Sequence, residues 1–311
     1  MEPISKRTAE AATPAVRAHD LKGVSATLLV VLAARALAPI EAPELGFADP
    51  HAEHVLQRLE VDARQFGLKA SAVRAVVLRA QWFNRTIRGF FERYPQGLCI
   101  NIGCGLTPSF EQVADAGGSG FGWIDLDLPE VIELRRRFFA DTARRRTMEG
   151  DVTDPSLFAR LPWAPGEPAI IAAEGLLYYL PPAQVEAFFA AQAHAAGARR
   201  AYIEVAFDYA SPLGAWMVTR LSAHRRLGTA CLWTLRRASD LRRIDPRLEV
   251  AEDSNVFLAG MGLGARQLNA LYRFVTGGGL GGCAHLRRFP DVGLRPSSPE
   301  MERASATLGP I

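Results

Sequence analysis

Little in this chain points to a secreted or metal-bound protein. Its 311 residues hold four cysteines, at 99, 104, 231 and 283, with no pair at metal-ligand spacing and nothing like a disulfide framework. No metal is therefore expected, and a reducing, cytoplasmic setting fits. Long apolar runs are missing too. The strongest, Ala26–Ala34, is too short to span a bilayer and is stopped by Arg35. It begins well inside the chain, unlike the apolar core of a signal peptide. Lysine occurs only at 6, 22 and 69, so arginine supplies 33 of the 36 basic residues, and the net charge is only +3. The tracts Arg135-Arg136-Arg137 and Arg144-Arg145-Arg146 lack interleaved aromatics and lie beside acids. They read as solvated helix faces rather than a nucleic-acid interface. Neither a nucleic-acid nor a membrane partner is expected.

A third glycine is also missing where one kind of cofactor needs it. Leu98–Ile102 is an apolar run of strand length, broken by Gly103-Cys104-Gly105. Thr107 and Pro108 then suit a helix cap and first helical position. A second strand near Gly122–Leu126 ends on Asp127. This β-α-β unit fails Gly-x-Gly-x-x-Gly, which excludes the pyrophosphate cradle of nicotinamide enzymes. A nucleoside without a pyrophosphate remains, and S-adenosylmethionine is the obvious one. Asp127, about 20 residues past the turn, suits ribose hydroxyls.

What is present is a regular alternation of strand and helix. Further strands are expected before Asp151, at Ala169–Ala173 and at Arg200–Phe207, with helices from Pro129 and Pro182 between them. The fold expected is α/β: a doubly wound, mostly parallel Rossmann-like sheet with helices on both faces. Helices expected at Val24–Leu37 (ended by Pro39), His51–Val61 and Ser71–Phe91 form an N-terminal cap over residues 1–92, ahead of one unit over 93–311. After Asp208 the pattern loosens. Leu213–Arg225 and Leu263–Phe274 read as helices, Leu248–Ala251 as a strand and Gly277–Gly282 as a flexible tract.

In such a sheet, ligands sit beyond the carboxyl ends of the strands, where the strand order switches. Asp127, Asp151 and Glu174 all fall at those ends and, with the glycine turn, would ring one crevice. Asp151 would accept from an adenine amino group and Val152 would pack on the ring. Glu174 follows an apolar strand, where a carboxylate needs a partner or a purpose.

Three stretches resemble the leucine carboxyl methyltransferase family, in particular its bacterial tetracenomycin-type polyketide O-methyltransferase branch. They are Ile102-Gly103-Cys104-Gly105-Leu106, Asp127-Leu128-Pro129-Glu130-Val131-Ile132 and Glu174-Gly175-Leu176-Leu177-Tyr178-Tyr179-Leu180. The resemblance covers roughly residues 24–208. It implies a class I S-adenosylmethionine-dependent methyltransferase. Gly103, Gly105, Asp127, Asp151, Val152 and Glu174 would be cofactor contacts, and Arg79 would pair with the cofactor's carboxylate. Lys22 or Arg35 would match a further basic contact of the family. The chain departs from the pattern at Asn84, where the family has an acid, and at Thr107-Pro108-Ser109, where it has Asp-Thr-Arg.

No histidine stands out as a base, which leans the acceptor toward a carboxylate, already ionised at neutral pH, over a phenol. The acceptor would be a small, polyketide-like or aromatic molecule. Its pocket would be walled by the N-terminal helices, Tyr178, Tyr179 and the segment Asp208–Met217 with Tyr209 and Trp216. Two other readings stay open: a member of the fold that binds cofactor weakly or not at all, and an enzyme acting on a protein's C-terminal carboxylate.

Overall fold

The computed structural model describes residues 27–114, 120–221, 230–259 and 262–290. Lys22 and Ala26 lie outside them. Among the described residues three α-helices come first: α1 (Thr27–Glu41), α2 (Pro50–Arg58) and α3 (Ala70–Arg93). Pro39 does not end α1 but sits in its last turn, where it removes one hydrogen bond from the ladder. Asp49 caps α2 by accepting from the Ala52 N–H at 3.0 Å, and its other oxygen holds the buried Arg35 Nε at 2.6 Å.

Seven strands follow: β1 (Leu98–Ile102), β2 (Gly122–Asp127), β3 (Arg145–Glu149), β4 (Ala169–Ala173), β5 (Ile203–Ala210), β6 (Glu249–Ser254) and β7 (Gly281–Arg288). Between them lie α4 (Ser109–Val113), α5 (Pro129–Arg135), α6 (Leu157–Arg160), α7 (Pro182–Arg199), α8 (Pro212–Leu221), a single turn at Val256–Ala259, and α9 (Leu263–Thr276). The sheet order is β3-β2-β1-β4-β5-β7-β6, parallel from β3 through β5, with β7 antiparallel to both its neighbours. This is the expected α/β, mostly parallel fold. Successive strand residues feed opposite faces. Ile100, Ile124, Ile171 and Val205 pack with Phe158, Phe188 and Phe189 on one side. Cys99, Trp123, Ile170 and Ala206 pack with Trp82, Phe83, Phe90 and Phe91 of α3 on the other.

Three expectations need correction. First, Gly281 and Gly282 are not a flexible tract but open β7. They approach other backbone closely: a Cβ at Gly282 would lie 2.4 Å from the Ser254 carbonyl, so only glycine fits. Second, α4 starts at Ser109 with Pro108 as its cap, and Thr107 does not cap it. The Thr107 hydroxyl instead turns back to the Cys104 carbonyl at 3.1 Å. Third, the arginine tracts are not wholly solvated. Arg135 is fully buried and Arg145 nearly so, each paired with an acid, Asp125 and Glu111.

Candidate functional site

The sheet order reverses between β1 and β4, which both pair with strands moving outward from that point. A crevice must open there at the carboxyl ends. A cavity of about 310 Å³ occupies it. Arg79, Gly103, Gly105, Asp127, Asp151, Val152 and Glu174 all line it, as do Tyr178 and Tyr179. Leu28, Val30 and Val31 of α1 and Val76 of α3 add apolar wall.

The glycine loop carries the chain from β1 to α4 through two left-handed residues, Gly103 (φ 66°) and Gly105 (φ 53°). It is tied down from three sides. The Gly105 N–H donates to Asp127 Oδ2 at 2.8 Å, while the Leu128 N–H donates to Asp127 Oδ1 at 2.8 Å. Arg135 Nη1 donates to the Gly105 and Thr107 carbonyls, each at 2.9 Å, and its Nη2 to Asp125 Oδ2 at 2.7 Å. Burial raises the Asp127 carboxyl above its ordinary range, against the pull of those two backbone N–H groups. The Cys104 thiol is pushed well up by burial and stays protonated.

Across the cavity, Arg79 reaches from α3 to two acids. Its Nε donates to Glu174 Oε1 at 2.9 Å and its Nη1 to Asp208 Oδ2 at 3.0 Å and the Tyr178 hydroxyl at 3.3 Å. Asp208 Oδ1 in turn accepts from the Gly175 N–H at 2.7 Å. Burial works against the Arg79 charge, but Asp208 and Glu174 outweigh it and hold the guanidinium firmly protonated. Burial raises the Asp208 carboxyl despite Arg79. It also lifts the Tyr178 phenol well above its usual range and the Tyr179 phenol to about 12. Neither tyrosine is a ready base. Asp151 lies after β3 on an exposed turn, its Oδ1 accepting from the N–H and hydroxyl of Thr153 at 2.8 Å each.

Two expected acceptor residues are not in this cavity. Tyr209 is buried with its hydroxyl donating to Asp253 at 2.6 Å, because its side chain points toward β6. Trp216 lies on α8, 52% exposed, with Arg220 over its ring. Arg35 is occupied by Asp49 and does not line the cavity, and Lys22 lies outside the described residues. No described histidine lines it either. Among the described residues no cluster of acids, histidines or cysteines could hold a metal, and no helix is long and apolar enough to cross a membrane.

Sequence reasoning missed the roles of Asp208 and Arg135. Asp208 was within reach, since an acid following the apolar Val205-Ala206-Phe207 fits the strand-end rule that singled out Glu174. Arg135 left no signal, because a side chain anchoring backbone carbonyls has no periodicity. Asn84, at the position of the family's acid, donates to Gln112 Oε1 of α4 at 2.8 Å.

Comparison with known proteins bears on what this geometry serves. The family model for leucine carboxyl methyltransferase matches residues 28–193. The tetracenomycin polyketide synthesis O-methyltransferase TcmP of Streptomyces glaucescens is 34% identical over 162 residues, 51% of this chain and 57% of that protein. A Mycolicibacterium smegmatis protein, provisionally named an S-adenosyl-L-methionine-dependent methyltransferase, is 30% identical over 190 residues, 53% of this chain and 60% of that one. The chain thus spans less than two thirds of either relative. A solved Thermobifida fusca structure, provisionally named a methyltransferase, shares the fold with TM-score 0.52 at 18% identity, over 90% of this chain and 100% of that one.

Proposed function

The chain belongs to the leucine carboxyl methyltransferase family of S-adenosylmethionine-dependent enzymes, and on that premise we propose that it is an O-methyltransferase of a small, hydrophobic acid. The observation that carries this reading is the gathering of Arg79, Gly103, Gly105, Asp127, Asp151, Val152 and Glu174, drawn from five separate segments, around one cavity. The donor set fits S-adenosylmethionine. Three carboxylates face one guanidinium, an excess of negative charge that suits a sulfonium and an ammonium. Asp127 would hold the ribose hydroxyls, Asp151 and Val152 the adenine. Arg79 Nη2, left out of the bonds to Glu174, Asp208 and Tyr178, would take the cofactor's carboxylate. The 310 Å³ volume is at the lower end for a small-molecule site.

Bound there, S-adenosylmethionine supplies an electrophilic methyl group. The protein's part is to orient the acceptor and exclude water. Alignment of this kind is worth roughly 7–11 kcal/mol. The apolar wall of Leu28, Val30, Val31 and Val76 suits a hydrophobic acceptor. Tyr178 and Tyr179 remain neutral hydrogen-bond donors. With no described histidine in the wall and both phenols held protonated, a carboxylate acceptor, which needs no proton removed, is favoured over a phenol. Likeness to TcmP supports a polyketide-like or aromatic acid. The departure at Thr107-Pro108-Ser109 does not argue for a member that fails to bind cofactor, because Arg135 and Asp127 anchor that loop from outside it.

The test combines calorimetry with methyl-labelled cofactor. Binding of S-adenosylmethionine, and of its demethylated product, should saturate one site per chain. Incubation with labelled cofactor and candidate aromatic acids should yield a base-labile ester. A base-stable ether would shift the acceptor to a phenol, and no binding at millimolar cofactor would remove the enzyme reading altogether.

A further inference from the structure

Helix α9 is inside out. The side turned to the protein carries Ala265, Asn269, Tyr272 and Thr276, of which Asn269 is buried and accepts from the Leu280 N–H at 2.9 Å. The side turned to solvent carries Leu263, Leu268, Leu271, Phe274 and Val275 at 77, 37, 62, 89 and 73% exposure. Positions 268, 271 and 275 follow helical spacing, with 263 and 274 beside them, so these side chains form one continuous strip. Together they present roughly 600 Å² of apolar surface, taking about 150–200 Å² for each side chain in full, which is the upper end for a patch on a monomer. A surface of that size calls for a partner.

Charge says which kind. From Ser254 to Pro290 the sequence has four arginines and no aspartate or glutamate. Two of them, Arg266 and Arg273, lie together on one flank of α9, seven residues apart. Arg273 also lines a second cleft, of about 220 Å³, together with Arg237 and Arg242. The carboxylate in that cleft, Asp253, is already committed, to the Tyr209 hydroxyl at 2.6 Å and the Ala238 N–H at 2.9 Å. An apolar ridge bordered by guanidiniums is the pattern of an interfacial helix.

We propose that the outward face of α9, with the arginine-lined cleft at its flank, docks on an anionic lipid bilayer. The apolar strip enters the boundary of headgroups and acyl chains, and Arg237, Arg242, Arg266 and Arg273 meet lipid phosphates. A second copy of the chain fits less well. Pairing α9 with itself would bury only about 1,200 Å² in total, the lower limit for a stable interface. It would also gather arginines with no acid on the helix to answer them. A protein whose groove takes the apolar strip and whose acids meet the arginines is the competing occupant, and the flotation test below separates the two. The expectation of no membrane partner rested on the lack of a spanning segment, and surface docking needs none. The helix leads into Gly281, which pairs with Ala210 at the carboxyl end of β5, so docking turns toward the lipid the end of the sheet that holds the main cavity.

The test is flotation of the full chain with vesicles of phosphatidylcholine alone or mixed with phosphatidylglycerol. The chain should float with the mixed vesicles only, and added salt should release it. Leu271→Gln/Phe274→Gln should lower partition more than about tenfold by removing exposed apolar contact. Arg237→Gln and Arg273→Gln should each lower it roughly fivefold. These side chains are exposed, so the variants should keep the melting temperature and cofactor binding of the parent, which separates a docking defect from misfolding. Absence of flotation, equal flotation with neutral vesicles, or a dimer in sedimentation velocity that the Leu271/Phe274 variant dissociates would each overturn the proposal.

Discussion

Arg135→Met is the sharpest probe of how the glycine loop is held. The side chain is fully buried, its Nη2 on Asp125 at 2.7 Å and its Nη1 on the Gly105 and Thr107 carbonyls at 2.9 Å each. Asp125, fully buried too, also accepts from Asn101 Nδ2 and Trp123 Nε1, each at 2.8 Å on Oδ1. Removing the guanidinium strands Oδ2 as an unpaired charge in the core. Breaking such a pair costs about 3–5 kcal/mol. With an unfolding entropy near 2.1 cal/mol/K per residue, that loss corresponds to a fall of about 5–8 °C in Tm. The double variant Arg135→Met/Asp125→Asn removes the stranded charge, while the introduced amide oxygen still accepts from Trp123. It should recover about 2 kcal/mol. Cofactor affinity should not recover, because both variants leave the two loop carbonyls without their donor. Thermal unfolding by circular dichroism and calorimetry with S-adenosylmethionine measure the two effects separately. Equal Tm values for single and double variants, or undiminished cofactor affinity in both, would refute the reasoning.

Gly105→Ala forces alanine into a left-handed conformation and puts its Cβ 2.7 Å from Leu28 Cδ2. The backbone term alone costs about 1–2 kcal/mol, and adding Leu28→Ala should return only the contact part, as read from Tm. Asp208→Asn keeps an acceptor for the Gly175 N–H but takes one of two acids from the buried Arg79, so Tm should fall by a few degrees and cofactor affinity should fall with it as the guanidinium loses its orientation; unchanged affinity would detach Asp208 from the site. Glu204 is held at about 2: burial opposes its charge, but His285 at 2.7 Å and Arg93 at 2.8 Å more than compensate. Its folded pKa lies below the unfolded value, so its contribution, about 3 kcal/mol, is present above pH 4.5 and is lost as pH falls from there toward 2. Urea titrations should show Glu204→Gln with a flatter stability profile across that window, and an unchanged slope would contradict the assignment.

What was legible in the chain followed from which physical signals are local. Leu98–Ile102 and Ala169–Ala173 are strands buried on both faces, so each is a short apolar run, broken only by Asn101 in the first, that ends on a glycine or an acid, and the structure keeps both bounds. Asp127, Asp151 and Glu174 could be placed around one crevice because parallel topology alone brings successive strand ends together. β7 was illegible for the opposite reason. Its glycines are required by backbone from Tyr209 and Ser254, residues far away in sequence, while locally they look like a loop. Arg135 and Arg145 look solvated in a charged tract, and only the tertiary positions of Asp125 and Glu111 make burial tolerable. Tyr209 and Trp216 show the limit of aromatic content as a guide: one points to β6 and the other to solvent.

The placement of β7 has a consequence for how the chain is made. It is the last of the described strands in sequence, yet it lies between β5 and β6. A ribosome that has released the chain only as far as Thr276 leaves β6 without any neighbour and β5 with a bare edge along its whole length. Asp208, whose β7 neighbour is Cys283, sits on that bare edge. The Arg79 cluster therefore gains its rear wall only when β7 threads home, and until then the nascent sheet offers an open strand to any other chain nearby.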